Sequence, residues 1–140
     1  MDQPSKKFWR IAIVGWRKYE DFDFVYNKFK SVIRGLKISP DNVVIVSGGA
    51  KGVDTIAEKI AVKIRGKFLG DANLIVYKAE WHKYGRRAGP YRNTKIVNVS
   101  DIVIAFPHSD SIGTWDTINK AKKHQNKKKV IVYNLASDSD

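Results

Sequence analysis

Five stretches of the chain are apolar enough to be buried strands, and amphipathic or polar segments alternate with them. Phe8 to Gly15 (FWRIAIVG) opens the series, followed by Val43 to Ser47, Leu74 to Tyr77, Asp101 to Phe106 and Lys129 to Tyr133. Runs of Val and Ile, rather than strict alternation, mark strands covered on both faces. Between the first two, Phe22, Val25, Phe29, Val32, Ile33 and Leu36 recur at helical spacing. A helix is therefore expected from Asp21 to a stop between Gly35 and Pro40. After the second strand, Val53, Ile56, Ala57, Ile60, Ala61 and Ile64 share a helical face that fades around Gly66 to Gly70. Thr55 and Glu58 have the spacing of a capping box there, with Asp54 at the cap or just outside it. Residues 80–92 (EWHKYGRRAGPYR) have no clean period and read as a loop, leading to a helix over Tyr91 to Val99. His108 to Ile112 forms another loop, and Gly113-Thr114 opens the last helix. Strands alternating with helices imply right-handed crossovers, hence an α/β fold with a parallel sheet of about five strands. No repeat or linker interrupts the pattern, so one domain is expected over residues 8–134, with flexible ends at 1–7 and 135–140.

In an open parallel sheet, ligands bind beyond the carboxyl ends of the strands. The chemically interesting residues fall at those ends: Gly15-Trp16-Arg17, Ser47 to Asp54, and Pro107 to Thr114, with loop 80–92 close by. Ser47-Gly48-Gly49 and Gly52 form a glycine-rich turn between a buried strand and a helix. Such a turn lets backbone N–H groups approach an anion at a helix N-terminus. It also serves a plain tight connection that needs glycine for its dihedrals alone. The run is neither a Walker A loop nor a G-x-G-x-x-G fingerprint.

Charge sharpens this picture. The 140 residues carry 26 Lys+Arg against 14 Asp+Glu, a formal net charge of +12, which attracts phosphorylated ligands or nucleic acid. Cysteine is absent, which removes disulfides and thiolate metal sites. His82, His108 and His124 share no metal-ligand spacing, so neither a metal nor a cofactor is expected. The polar, basic start (MDQPSKKFWR) has neither the apolar run of a signal peptide nor that of a membrane span, and a cytoplasmic protein without a membrane partner is expected.

G-W-R after the first strand, SGGAKGVD after the second, WHKYGRRAGPYRN in the long loop and a late G-T before a helix resemble the SLOG superfamily. The resemblance covers residues 9–133 and is strongest to the small single-domain, YspA-like branch. The superfamily also holds the cytokinin-activating nucleoside-monophosphate phosphoribohydrolases and the DNA-processing proteins that load recombinase on single strands. It implies a Rossmann-like three-layer sandwich, a nucleotide or nucleotide-derived ligand, and a homodimer. Ser47, Gly48, Gly49 and Gly52 match the phosphate-side loop, Gly15 and Arg17 the turn after the first strand, and Arg92 and Asn93 the arginine motif. Gly113 and Thr114 match the end of the family's G-G-x-G-T, and Asp116 stands where the phosphoribohydrolases carry a catalytic glutamate. The earlier glycines of that second loop are replaced, since the run reads PHSDSIGT, and Asp116 is one methylene shorter than glutamate.

Each candidate has a plainer role beside the sharper one. Arg17 contacts ligand or is a solvated surface group; Asp54 contacts ligand or caps a helix; Arg92 holds ligand or pairs with Asp54 or Asp116. Asp116 is catalytic or a first-turn acid favoured by the helix dipole. Trp81 and Tyr84 stack on a base or anchor the loop on the sheet edge. The lysines from Lys120 to Lys129 favour a helix C-terminus or serve nucleic acid. Two functions follow. The first is a nucleotide-binding domain, with hydrolysis of an N-glycosidic bond through Asp116 and Arg92 as its catalytic form. The alternative is a non-catalytic binder of single-stranded nucleic acid in the same crevice.

Overall fold

The fold is given by a computed structural model that describes residues 8–126 and 128–135. Strand β1 (Trp9–Gly15) is followed by helix α1 (Phe22–Gly35), β2 (Val43–Ser47), α2 (Val53–Lys63) and β3 (Leu74–Val76). A short helix α3 (Trp81–Tyr84), then α4 (Ala88–Val99), β4 (Ile102–Phe106), α5 (Ile112–Lys123) and β5 (Lys129–Val132) complete the order. All pairings are parallel, and the strands lie in the order β3-β2-β1-β4-β5. This is the α/β parallel sheet that the hydrophobic pattern implies, in the three-layer, Rossmann-like arrangement that the resemblance implies.

Alternating side chains of each strand go to opposite faces, and each face is covered by its own helix pair. On one side Ile11, Ile13, Val43, Ile45, Ile102, Ile104 and Phe106 meet Val25, Phe29 and Ile33 of α1 and Ile56, Ala57 and Ile60 of α2. On the other, Ala12, Val14, Val46, Val103 and Ala105 meet Ile96 and Val97 of α4 and Ile118 and Ala121 of α5. Asp21 caps α1 through Phe24 N–H at 3.1 Å. At the far edge of the central pair, Arg10 N–H donates to Asp101 Oδ2 at 2.9 Å and Asp101 N–H to the Arg10 carbonyl at 2.8 Å, which sets the β1–β4 register.

The elements differ from the sequence reading in three places. Helix α2 ends at Lys63, short of the expected fade around Gly66 to Gly70, and just beyond it the Arg65 N–H closes onto the Val62 carbonyl at 3.3 Å, an i→i−3 bond that tightens the last turn. The expected capping box does not form. The helix begins at Val53 with Gly52 as its cap, so Thr55 and Glu58 are already inside it. Thr55 Oγ1 donates to the Ala50 carbonyl instead, and Glu58 faces Ser47. Residues 80–92 are also not one loop, since α3 lies within them and α4 starts at Ala88, three residues before Tyr91. Pro90 does not delay α4, because a first-turn residue has no intrahelical partner for its missing N–H. Leu135, expected in a flexible end, donates to the Pro107 carbonyl at 2.7 Å and packs on the core. The expected flexible ends otherwise fall on residues outside those described.

Phe29 is fully buried between α1 and the sheet. Its replacement by alanine should cost about 3–5 kcal/mol of unfolding free energy, measured by urea denaturation. A loss below about 1 kcal/mol would show that α1 is not packed on the sheet as described.

Candidate functional site

The strand order reverses between β1 and β4, and that switch point opens a crevice at their carboxyl ends. A cleft of about 390 Å³ lies there. One wall is the turn after β1, with Gly15, Trp16, Arg17 and Lys18. The opposite wall is built from the starts of α4 and α5: Arg92, Asn93 and Ile96 from the first, Ile112, Gly113 and Thr114 from the second. Ala50 and Asp54 reach the cleft from the glycine-rich turn, and Trp81 from α3.

Among the residues singled out from sequence, Gly15, Arg17, Asp54, Trp81, Arg92, Asn93, Gly113 and Thr114 therefore share one cleft. Ser47, Gly48, Gly49, Gly52, Tyr84 and Asp116 do not line it. Ser47 has no exposed surface. Its hydroxyl lies 3.1 Å from the Asp54 carbonyl and 3.3 Å from Glu58 Oε2 as donor, and accepts the Gly49 N–H at 3.1 Å. The next amide, Ala50 N–H, donates to Asp54 Oδ2 at 3.2 Å. Two of the amides expected to hold an anion are thus committed within the protein. The turn is a braced connection whose acceptor is its own carboxylate.

The glycines of this turn answer to close approach. A Cβ on Gly48 would stand 2.7 Å from Asp54 Oδ2 and 2.9 Å from Arg92 Nη1. Gly52 has φ +72°, and a Cβ there would overlap the Trp16 carbonyl, which accepts the Val53 N–H at 3.2 Å. The second and first βα turns are thereby pressed together. That contact brings Arg17 beside the glycine-rich turn.

Arg92 ties the far wall to this assembly. Its Nη1 donates to the Gly48 carbonyl at 2.6 Å and its Nε to Asn93 Oδ1 at 2.8 Å. Asn93 Nδ2 in turn donates to the Gly113 carbonyl at 3.1 Å and to Asp116 Oδ2 at 3.0 Å. Lys120 Nζ is 2.9 Å from the same Asp116 oxygen and donates to the Pro90 carbonyl at 2.8 Å. The Asp116 carboxylate is therefore engaged by Asn93 and Lys120 behind the cleft wall. Tyr84 packs edge-on against Tyr91, with ring centroids 4.9 Å apart. Trp81 instead rests over Gly89, where a Cβ would meet its ring at 3.3 Å, and is 59 % exposed.

Trp16 stacks on His108 at 4.1 Å and 16°, a contact that no local pattern announces because the residues belong to different βα turns. Asp110 and Ile112 stand on the cleft rim, within the stretch Pro107 to Thr114 expected at the crevice, although no role was assigned to either from sequence. Their signal was an apolar residue and an acid standing beside the polar opening of a helix. Among the described residues no group of three metal-ligating side chains gathers, and no helix is long and apolar enough to cross a membrane.

Asp54 is only 6 % exposed, and burial pushes its carboxyl up from 3.8 to about 6. The amides of Ala50 and Gly15 and the Arg92 charge pull in the opposite direction without overcoming burial. Burial likewise lowers the Arg92 guanidinium, and Asp54 offsets part of that. The folded chain holds the Asp54 proton more tightly than the unfolded chain does. Stability associated with it is present below pH 3.8 and is lost as pH rises to about 6. The loss is on the order of 3 kcal/mol above that window. Asp54→Asn should therefore gain thermal stability relative to the unsubstituted chain on going from pH 5 to pH 8. An equal difference between the two proteins at both pH values would contradict the burial of an ionisable Asp54.

Comparison with known proteins agrees with this architecture. The sequence profile of the DNA recombination-mediator protein A family matches residues 3–72, half of the chain. The Gene 61 protein of Mycobacterium phage D29 is 32% identical over 115 residues, spanning 81% of this chain and 89% of that protein. DNA processing protein A from Helicobacter pylori, solved to describe its binding of single-stranded DNA, superposes with a TM-score of 0.61. That match covers 94% of this chain and 68% of the other at 22% identity, and so speaks to the fold alone. With half its length matched by the family's profile, the chain belongs to the DNA recombination-mediator protein A family.

Proposed function

We propose that this chain binds single-stranded DNA through the cleft at the β1–β4 switch point, without turnover, within a SLOG-type architecture. The observation that carries this reading is the pairing of a cationic wall with an exposed aromatic face in one cleft. Arg17 and Lys18 are exposed on one side, and Trp81 stands 59 % exposed on the other. Lys51, Lys78, Arg86 and Arg87, also exposed, extend positive charge along the segments that follow β2 and β3. Cations that track phosphates, combined with an aromatic ring that stacks a base, are the usual means of holding single strands. An unpaired base can reach such a ring, whereas a base stacked within a duplex cannot. Family membership and the single-stranded DNA bound by the Helicobacter protein support the same reading.

Hydrolysis of a nucleoside monophosphate is the weaker reading. It needs a carboxylate facing the ribose, and Asp116 lies outside the cleft lining with Asn93 and Lys120 on one of its oxygens. A mononucleotide is accordingly expected to compete with a strand only weakly and to survive incubation with its glycosidic bond intact.

The test is fluorescence anisotropy of a labelled oligo-dT strand at rising salt. The logarithm of affinity should fall with the logarithm of salt by about 0.7 per phosphate neutralised, and Arg17→Ala should reduce that slope by about 0.7. A flat salt dependence, with tight binding of one free mononucleotide and release of its base, would favour the nucleotide hydrolase.

A further inference from the structure

The cleft is divided by charge, and the division has a meaning for what lies in it. Arg17 and Lys18 occupy the wall after β1, whereas the rim before α5 carries an acid, Asp110, whose side chain is 59 % exposed. An exposed carboxylate repels phosphate, so this part of the rim is unsuited to a strand's backbone. Beside it stands Ile112, 83 % exposed and the most exposed large apolar side chain among the described residues. Trp81, on the α4 end of the same wall, is the other strongly exposed apolar group in the cleft. The Trp81 ring packs against Gly89 of α4, and Asn93 Nδ2 of α4 donates to the Gly113 carbonyl of α5 at 3.1 Å, so the elements that bring Trp81 and Ile112 to the cleft are linked.

We propose that the Trp81–Ile112 wall is a subsite for one unpaired nucleobase, and that Asp110 makes it select bases bearing an exocyclic amino group. This rests on the single-strand reading above and names what the cleft prefers within it. Apolar faces accept the flat of a ring, which removes both exposed side chains from water. A carboxylate only accepts hydrogen bonds, so it favours the amino group of cytosine and disfavours the carbonyl oxygen that uracil and thymine present at the same position. His108 Nδ1, 3.2 Å from Asp110 Oδ1, holds one carboxylate oxygen beside the Trp16 stack. Ser111 and Thr114 also line the cleft but are buried, and the Ser111 hydroxyl accepts the His108 N–H at 2.9 Å, which leaves Asp110 as the exposed acceptor beside Ile112.

The experiment compares oligo-dC, oligo-dU and an abasic strand of equal length, at one low salt concentration. Binding should run oligo-dC over oligo-dU by about tenfold or more, as expected for one hydrogen bond to a charged acceptor. Asp110→Ala should collapse the dC-to-dU ratio toward one. Trp81→Ala and Ile112→Ser should each lower the ratio of dC to abasic affinity. Because all three residues are exposed, these variants are expected to fold, which a melting curve checks. Equal affinity for dC and dU in the unsubstituted protein overturns the selectivity. Equal affinity for dC and the abasic strand overturns the subsite while leaving backbone binding intact. No binding to any strand would instead remove the single-strand reading itself.

Discussion

One half-buried guanidinium holds the two sides of the switch point together. Arg92 reaches from α4 to the Gly48 carbonyl at 2.6 Å, and Asp54 supplies the charge that Arg92 faces under the glycine-rich turn. Neither group tolerates this position alone. An unpaired guanidinium so close to the core would lose its water without compensation, and Asp54 resists ionisation even with Arg92 beside it. Asn93, Asp116 and Lys120 then carry the connection on to α5. The cleft has its width because these bonds fix where α4 and α5 begin relative to β2.

This arrangement changes the meaning of the glycine-rich turn. Sequence suggests open amides awaiting an anion, but the turn's first acceptors are Ser47 and Asp54 of the same chain. Positive charge facing solvent comes from side chains on neighbouring segments, Arg17 and Lys18 foremost. A site built that way would hold a chain of phosphates by flexible cations, as the single-strand proposal requires. It differs from one that cradles a single phosphate in rigid backbone, and it suits a polymer better than a small molecule.

The hydrophobic pattern made the sheet legible because β1, β2 and β4 are buried on both faces, which leaves almost no polar residue to confuse the reading. The starts of α3 and α4 were obscured because Gly85, Gly89 and Pro90 carry turn signals that first-turn geometry and packing under Trp81 override. The false capping box arose from a correct spacing in the wrong place, two residues inside a helix whose cap is Gly52. Residues next to a strand end, such as Arg17, were placed in the crevice by topology alone. The Trp16–His108 stack was not foreseen, since it depends on how two turns far apart in sequence are aimed at each other.

The placement of β1 at the centre of the sheet has one more effect, on the order in which parts of the molecule are secured. Trp9 pairs with Val43 across a short span of chain, whereas Ile11 pairs with Ile102 only after most of the polypeptide has been looped back. The longer closure costs about 0.9 kcal/mol more in chain entropy. The crevice belongs to that second pairing, so it forms only where β1 and β4 lie side by side. Any excursion that separates β4 from β1 dissolves the cleft and uncovers both core layers, since β4 contributes Ile102, Ile104 and Phe106 to one and Val103 and Ala105 to the other. A ligand touching both the turn after β1 and the start of α5 would act as a clasp across this seam, whose two strands are far apart in sequence.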